Sequence, residues 1–305
     1  MPTRLSRDYH IFAFSPSTKP ALRITPGERV ICETYDCYIG QFPGKFDDLE
    51  KIDWSRVNPA TGPIYVDGVL PGDVLTVSVE NIAVPDYGVM AACGNEGVLG
   101  HLYTGRTGKI VPIREGKAVF DGRVILPVEP MLGVIGVTPE EPVTTVYPGA
   151  HGGNLDNKMI TAGSVLYLPV FVEGGLLAVG DVHARMGDGE VGVSGIEVNA
   201  EVELRVDYLR GTPLSNPLLV NRDCISTIAS AETLDEAVLR CTEDMARLLQ
   251  SATGAPLTDV AMFLSAAGDV RICQVVDPLK TARFLLPKNA VKQFGAGSLF
   301  DTFGG

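Results

Sequence analysis

The chain has 305 residues, 45% of them hydrophobic, which is ample for a full apolar core in one large domain or two. Its formal net charge is −12 with no basic block, so a nucleic-acid partner is not expected; the acidity is spread along a solvated surface, and some of it is able to bind cations. No stretch approaches the roughly 18 consecutive apolar residues of a membrane span. The N-terminal MPTRLSRDYHIFAF has no apolar segment followed by small residues, so no secretory signal is expected. Cys32, Cys37, Cys93, Cys224, Cys241 and Cys273 lack CxxC spacing, and free, buried thiols in a cytoplasmic protein are the expectation.

Residues 1–40 read as strands: HIFAF, ALRI and, after the turn TPGE, RVICETYDCYIG. Alternation in VICETYDC puts Ile31, Glu33 and Tyr35 on one face and Cys32, Thr34 and Asp36 on the other. Glu33 and Asp36 reach one site only if a bulge or strand end separates them; otherwise they are surface carboxylates of an edge strand. Residues 41–63 form a long connection of mixed polarity, with a short helix expected around Asp47–Trp54. IYVDGVLPGDVLTVSVENIAV is strand, tight turn, strand, with Pro71-Gly72 at the centre of a type II turn. YGVMAACGNEGVLGHL is interrupted by glycine and carries Cys93, Glu96 and His101, and residues 106–137 add short strands turning at Glu115-Gly116 and Asp121-Gly122. Short strands joined by such turns at intervals of about ten residues are the pattern of a β-sandwich or barrel.

VLYLPVFVEGGLLAV (Val165 to Val179) reads as a buried strand pair that delivers the chain into GDVHARMGDGE. Next, VGVSGIEVNAEVELRVDYLRG is a strand with Val198, Ala200, Val202, Leu204 and Val206 on one face. LPGDVLTVSV and TAGSVLYLPV share a turn and an apolar run, a faint sign of duplication. The character changes near Thr212. Thr233 and Glu236 form a capping box, Val238, Cys241, Met245 and Leu249 follow helical spacing, and Gly254 is a stop. A shorter helix follows Pro256, DVRICQVVD is a strand, and the tail from Pro287 is loop with a terminal helix. The expected fold is mainly β with a smaller α+β part. A β-sandwich-rich core of jelly-roll or CUB-like type spans residues 1–212, and the helices of residues 213–305 pack on its sheets as one integrated unit.

GDVHARMGDGE and HGGNLD hold the clearest chemistry. Asp181 and His183 lie two apart, so at a strand end both leave one face, and such a pair can bind a divalent metal through a carboxylate oxygen and an imidazole nitrogen. Asp188 and Glu190 lie past a glycine turn that lets Glu190 fold back over the same site. Asp156 is a further oxygen donor, and Gly152 and Gly153 allow backbone N–H groups to approach a substrate closely. Each residue also has a purely structural reading: Asp181 as a turn cap, His183 as a hydrogen-bonded half-buried histidine, DGE as an exposed turn. No zinc spacing such as HExxH is present. His10 and His101 lack clustered partners and fit core or surface duty, whereas His151 abuts Gly152-Gly153. Cys93 with Glu96 could act as thiol nucleophile and base, although a lone cysteine in a small-residue loop is more often buried and inert. No glycine-rich phosphate loop opens a helix, and GxSxG does not occur.

HGGNLD, GDVHARMGDGE and the step Gly195-Ile196-Glu197, with VNPATGP, the LPGD turn and SAAGDVRICQVVDP, resemble the acetamidase/formamidase family over nearly the whole chain. The motif spacing is closer to the acetamidase branch. The resemblance implies hydrolysis of a short amide to carboxylate and ammonia, a β-sandwich-rich fold, a homodimer or higher homo-oligomer, and a bound divalent metal, zinc ahead of calcium. On that basis Asp36, Asp156, Asp181 and His183 are the expected metal ligands, and Glu190 is the general base, with Glu33 a second candidate. Gly152, Gly153 and Asn154, with His151 beside them, are the expected substrate and oxyanion contacts. Where the family usually has Gln before GDGE this chain has Met186, which removes a polar contact near the site. Two other readings compete: a metal-free amidase with Cys93 as nucleophile, and a non-catalytic β-sandwich that binds a small ligand and uses a cation for structure.

Overall fold

The computed structural model describes residues 2–41 and 52–304. Most of the helix expected around Asp47–Trp54 lies outside them. Its described end is one 3-10 turn, Trp54–Arg56, capped by Asp53 Oδ1, which accepts from the Ser55 amide at 3.0 Å.

Alternating apolar residues, many of them β-branched, set the architecture, because each strand has one face or both to bury. Ala200–Leu209 shows the simplest case: Ala200, Val202, Leu204 and Val206 are buried, while Glu201 and Arg205 face out. This strand sits within a sheet of nine, ordered Thr3–Leu5, Glu28–Thr34, Ala200–Leu209, Val74–Ala83, Val165–Pro169, Leu218–Val220, Cys224–Ala231, Lys280–Pro287 and Asp269–Gln274. A second sheet has eleven strands. Its main path runs Ile125–Pro127, Lys117–Val119, Arg106–Arg114, Tyr87–Cys93, Glu197–Val198, Leu177–His183, Met131–Gly136 and Gly152–Asn154. Ala60–Val66 joins it on Leu177–His183 and brings His10–Ile11 and Leu22–Ile24 with it. Val143–Thr144 and Ala13–Phe14 form a separate two-stranded ribbon. Val77, Leu166 and Val202 from the first sheet meet Ile64, Leu132 and Val179 from the second in one apolar core, so the two sheets pack as layers.

The expected pairing of the two halves of VLYLPVFVEGGLLAV does not occur. Val165–Pro169 pairs with Val74–Ala83 and Leu218–Val220 in the first sheet, whereas Leu177–His183 lies in the second. The turn at Gly174-Gly175 carries the chain across the core. Gly174 has a φ of 75°, and a Cβ there would come within 2.2 Å of the Tyr65 ring. Both strands read as continuously apolar because each has a layer on either side. Leu166 and Leu168 face the inter-sheet core, and Tyr167 faces the helices.

The helical layer follows the sequence signals closely. Helix α1 (Leu234–Thr253) starts at Thr233, whose side chain accepts from the Glu236 amide at 3.2 Å, and it ends at Gly254 with a φ of 69°. Its buried residues Ala237, Cys241, Met245 and Leu249 recur at helical spacing and pack with Ile225, Phe284 and Leu286 of the nine-stranded sheet. Helices α2 (Leu257–Ala267), α3 (Lys288–Gln293) and α4 (Leu299–Thr302) complete the layer. The nine-stranded sheet runs straight through the change of character at Thr212, because Leu218–Val220 zips onto Val165–Pro169. No helix among the described residues is long and apolar enough to cross a membrane, and all six cysteines are unpaired.

Met245 is fully buried between α1 and the sheet. Met245→Ala is expected to cost about 2–5 kcal/mol, against about 1 kcal/mol for loss of the Thr233 cap in Thr233→Ala. Urea unfolding of both variants checks that order.

Candidate active site

Leu177–His183 changes partner halfway along. Val179 and Gly180 pair with Thr61 and Ala60, then Val182 and His183 pair with Val198 and Glu197. Asp181 sits at the changeover with a φ of 50°, a strained conformation for an L residue inside a strand. Asp156 and Glu190 also have positive φ, at 42° and 45°. Three site carboxylates thus leave backbone that local structure alone does not favour. Two glycines make room for them. A Cβ on Gly133 would lie 2.6 Å from both Asp156 Oδ1 and Asp181 Oδ2, and one on Gly195 would lie 2.4 Å from His183 Nδ1.

His183 Nε2 is the centre of the arrangement. Glu197 Oε2 lies 3.2 Å from it, Asp181 Oδ1 3.4 Å and Asp156 Oδ1 3.9 Å. Glu190 folds back as the glycine turn allows, so that one oxygen each from Asp156 and Glu190 and one His183 nitrogen lie within 4.8 Å of one another. Cys37 Sγ and one oxygen each from Asp181 and Glu197 meet the same limit. All six side chains are buried.

Burial dominates the electrostatics. It raises the Asp156 and Glu190 carboxyls well above the usual carboxylate range, with neighbouring carboxylates adding to the effect, and it raises Glu197 to about 7. Burial would lower the His183 imidazole, but the charges of Glu197 and Asp181 outweigh it and hold His183 well above its ordinary value. The Cys37 thiol is pushed well up by burial, then by Glu197 and Asp181. Both oxygens of Asp156, Oε2 of Glu197 and both ring nitrogens of His183 lack hydrogen-bond partners. Buried polar atoms in this state are costly unless something satisfies them. The donors are carboxylate oxygens, an imidazole nitrogen and a thiol, and they fit a divalent cation.

The other expected residues divide. Asp36 is buried two residues past the end of the strand Glu28–Thr34, and its Oδ1 accepts from the Tyr38 amide at 2.9 Å and the Gly40 amide at 3.1 Å. It therefore fixes the turn that presents Cys37. Glu33 does not join the cluster. Alternation sends it to the opposite face, where Arg4 Nη2 holds its Oε1 at 3.0 Å and also binds Glu201. The Gly152 amide is not open to a substrate, since it donates to the Gly149 carbonyl at 3.1 Å and Gly152–Asn154 pairs with Met131–Gly136. Asn154 Nδ2 donates to Asp277 Oδ2 at 3.0 Å, leaving its buried Oδ1 unpartnered. His151 packs edge-to-face on Phe14, and burial lowers its imidazole to about 4. Asp188 is held by Arg283 at 2.7 Å and Lys158 at 3.2 Å. Cys93 is buried, with its thiol raised chiefly by burial, and Glu96 lies 3.8 Å from Arg106.

Sequence reading missed Cys37, Glu197 and Asp277 as site residues. Glu197 lies in a quoted motif, but only strand register puts it opposite His183. Asp277, in VVDP, has its carboxyl raised well above normal by burial and then by Glu190. Two cavities flank the cluster. One of about 330 Å³ is lined by Glu190, Met186, Phe120 and Ile196. The other, of about 440 Å³, is lined by Asp36, Glu197, Arg7 and Tyr87.

The sequence profile of the Acetamidase/Formamidase family matches residues 7–144 and 137–228. The crystal structure of a predicted acetamidase/formamidase from Thermoanaerobacter tengcongensis superposes with a TM-score of 0.95 at 48% identity, covering 97% of this chain and 99% of that one. An acetamidase from Bacillus halodurans superposes with a TM-score of 0.93 at 42% identity, covering 96% and 99%. The acetamidase of Mycolicibacterium smegmatis is 26% identical, with 64% of this chain and 65% of that protein covered, so the match spans less than two thirds of that relative's length. With a family profile over most of its length and close structural neighbours throughout, the chain belongs to the acetamidase/formamidase family.

Proposed function

We propose that the protein hydrolyses a short carboxamide, of the acetamide or formamide type, to carboxylate and ammonia with the help of a divalent metal. The observation that carries the reading is a single buried imidazole ringed by carboxylates, of which both Asp156 oxygens and Glu197 Oε2 lack hydrogen-bond partners, with Glu190 bordering a cavity. The names of the relatives support the amide as substrate. Asp156, Asp181 and His183 hold the cation. A nitrogen donor, with a thiol nearby, favours zinc over calcium, which takes oxygen ligands.

Held by these residues, a divalent cation would supply Lewis-acid polarisation of the amide carbonyl and would acidify water at neutral pH. The remaining tasks fall to the chain. Glu190 borders the cavity, folded back over the cluster, where its carboxylate is placed to take the proton from the attacking water. The same carboxyl then delivers that proton to the departing nitrogen, which leaves as ammonia. Met186, Phe120 and Ile196 make the cavity wall apolar, so the substrate's alkyl end meets hydrocarbon there. Asp36 and Asp188 position: the first fixes the turn bearing Cys37, and the second is clamped by Arg283 at the base of the Glu190 loop. The buried Cys93 thiol does not take part. The unpaired cysteines suit a reducing cytoplasm, and a homodimer or higher homo-oligomer completes the proposal.

Glu190→Gln is expected to keep the fold and the metal and to lower ammonia release at least about 100-fold; wild-type turnover in that variant would remove Glu190 from the chemistry. Ammonia release from acetamide or formamide should stop on chelation and return with one added metal. Indifference to chelator would reject metal assistance. Gly195→Ala pushes a methyl group against His183 Nδ1 and should reduce metal content in elemental analysis of folded protein, as His183→Ala does. Unchanged metal in both variants would exclude His183 as a ligand.

A further inference from the structure

We propose that the amide this site prefers carries an apolar acyl group well beyond acetyl in size, such as hexanoyl or benzoyl, held in the cavity that Glu190 borders. This names the substrate class of the site described above and rests on the amide reading; formamide and acetamide are the short end of the series.

Size makes the first case. The methyl group of acetamide displaces the volume of one water, ~30 Å³, whereas the cavity holds about 330 Å³. An apolar protein cavity of about 150 Å³ already takes up benzene. With acetamide bound, most of the space therefore stays filled by water against hydrocarbon. A longer acyl chain expels that water, which is favourable in proportion to the apolar area covered.

The chemistry of the wall makes the second. Met90, Phe120, Leu126, Met186 and Ile196 supply its hydrocarbon. Three polar side chains in the lining are committed elsewhere. Arg185 Nη1 donates to the Pro127 carbonyl at 2.8 Å and pairs with Glu129 at 2.9 Å. Asp188 is clamped by Arg283 and Lys158. Ser194 Oγ donates to the Gly195 carbonyl at 2.9 Å and accepts from the Ala91 amide at 3.3 Å. That leaves Glu190, which belongs to the donor cluster, as the polar end of the cavity. A polar group on the far end of the acyl chain would lose water there and gain no partner.

The surroundings agree on direction. Met90 and Phe120 also line a further cavity of about 290 Å³, so a chain that outgrows the first space continues along hydrocarbon. The cavity on the other flank of the cluster, of about 440 Å³, presents Arg7, Asp36 and Glu197, charged groups that an alkyl chain would strip of water. Phe120 and Leu126 belong to the hairpin that pairs Lys117–Val119 with Ile125–Pro127. Arg185 fastens that hairpin at Pro127, which makes it a positioning residue for the wall.

The test is ammonia release from straight-chain primary amides, formamide to octanamide, with glutaramide alongside, on purified full-length protein supplied with zinc. The value of kcat/KM should rise about fourfold per methylene, as burial of a CH₂ group does, and put hexanamide at least about 100-fold above acetamide. Glutaramide, of similar length with a polar end, should fall at least about tenfold below hexanamide. Met186→Trp fills the cavity and should cut the ratio of hexanamide to acetamide at least about tenfold. If that variant does not fold, Leu126→Asp at a half-buried position reads the same ratio. A flat or falling series with acetamide turned over overturns the acyl cavity and leaves the amide reading intact. Glutaramide matching hexanamide also overturns it, because length and not hydrocarbon is then recognised. Ammonia from no amide rejects the amide reading itself and this inference with it.

Discussion

Placing several carboxylates around one imidazole, out of contact with water, is the constraint on which the rest of this structure depends. Left alone, such a group is strongly unfavourable, because each buried charge loses its hydration and repels its neighbours. The chain accepts that cost in local geometry as well as electrostatics. Asp156, Asp181 and Glu190 take left-handed backbone, and Leu177–His183 swaps pairing partners at the residue that must turn inward. Gly133 and Gly195 give up side chains so that the carboxylates and the imidazole can close together. Strain gathered at one place, on rigid strands of a large sheet, marks a site where position matters more than local comfort.

The surrounding layers exist in part to hold that geometry. The inter-sheet core fixes the strands, and the C-terminal part reaches back into the site. Asp277 accepts from Asn154, and Gly189 is bridged to the strand end near Gln274. Arg283, with no exposed surface, binds Asp188 on the loop that carries Glu190. A fully buried guanidinium is costly unless it is paired, so the ion pair ties the helical layer's sheet to the acidic loop on both energetic and geometric grounds.

How much of this the sequence disclosed depends on the range of the interaction. Short-range signals were legible. Thr233, Glu236 and Gly254 marked the ends of α1, and alternation put Glu33 and Asp36 on opposite faces, which is where they lie. The spacing of Asp181 and His183 brought them together, although Asp181 gets there through a positive φ and not through regular pleating. Signals that depend on pairing between distant segments were not legible. Nothing local says that Glu197 faces His183 across a ladder, or that Cys37, one of several scattered cysteines, comes to rest beside both. The same limit made Val165–Pro169 and Leu177–His183 look like partners when they belong to different sheets. The substrate contact expected of the Gly152 amide failed for a subtler reason, since the turn that glycine permits uses up the N–H it exposes.

The clasp between Arg283 and Asp188 has a consequence for how the protein is made. Chains emerge from the ribosome N-terminus first, at about 5–20 residues per second, and tend to fold as they come. Asp156, Asp181, His183, Glu190 and Glu197 are all synthesised long before Asp277 and Arg283. For several seconds the nascent chain therefore carries its most repulsive cluster without the guanidinium that anchors the neighbouring loop. Asp188 gains its buried guanidinium partner only when Lys280–Pro287 has been made and joins the sheet, so the loop that carries Glu190 is tied down by a strand synthesised some ninety residues after it.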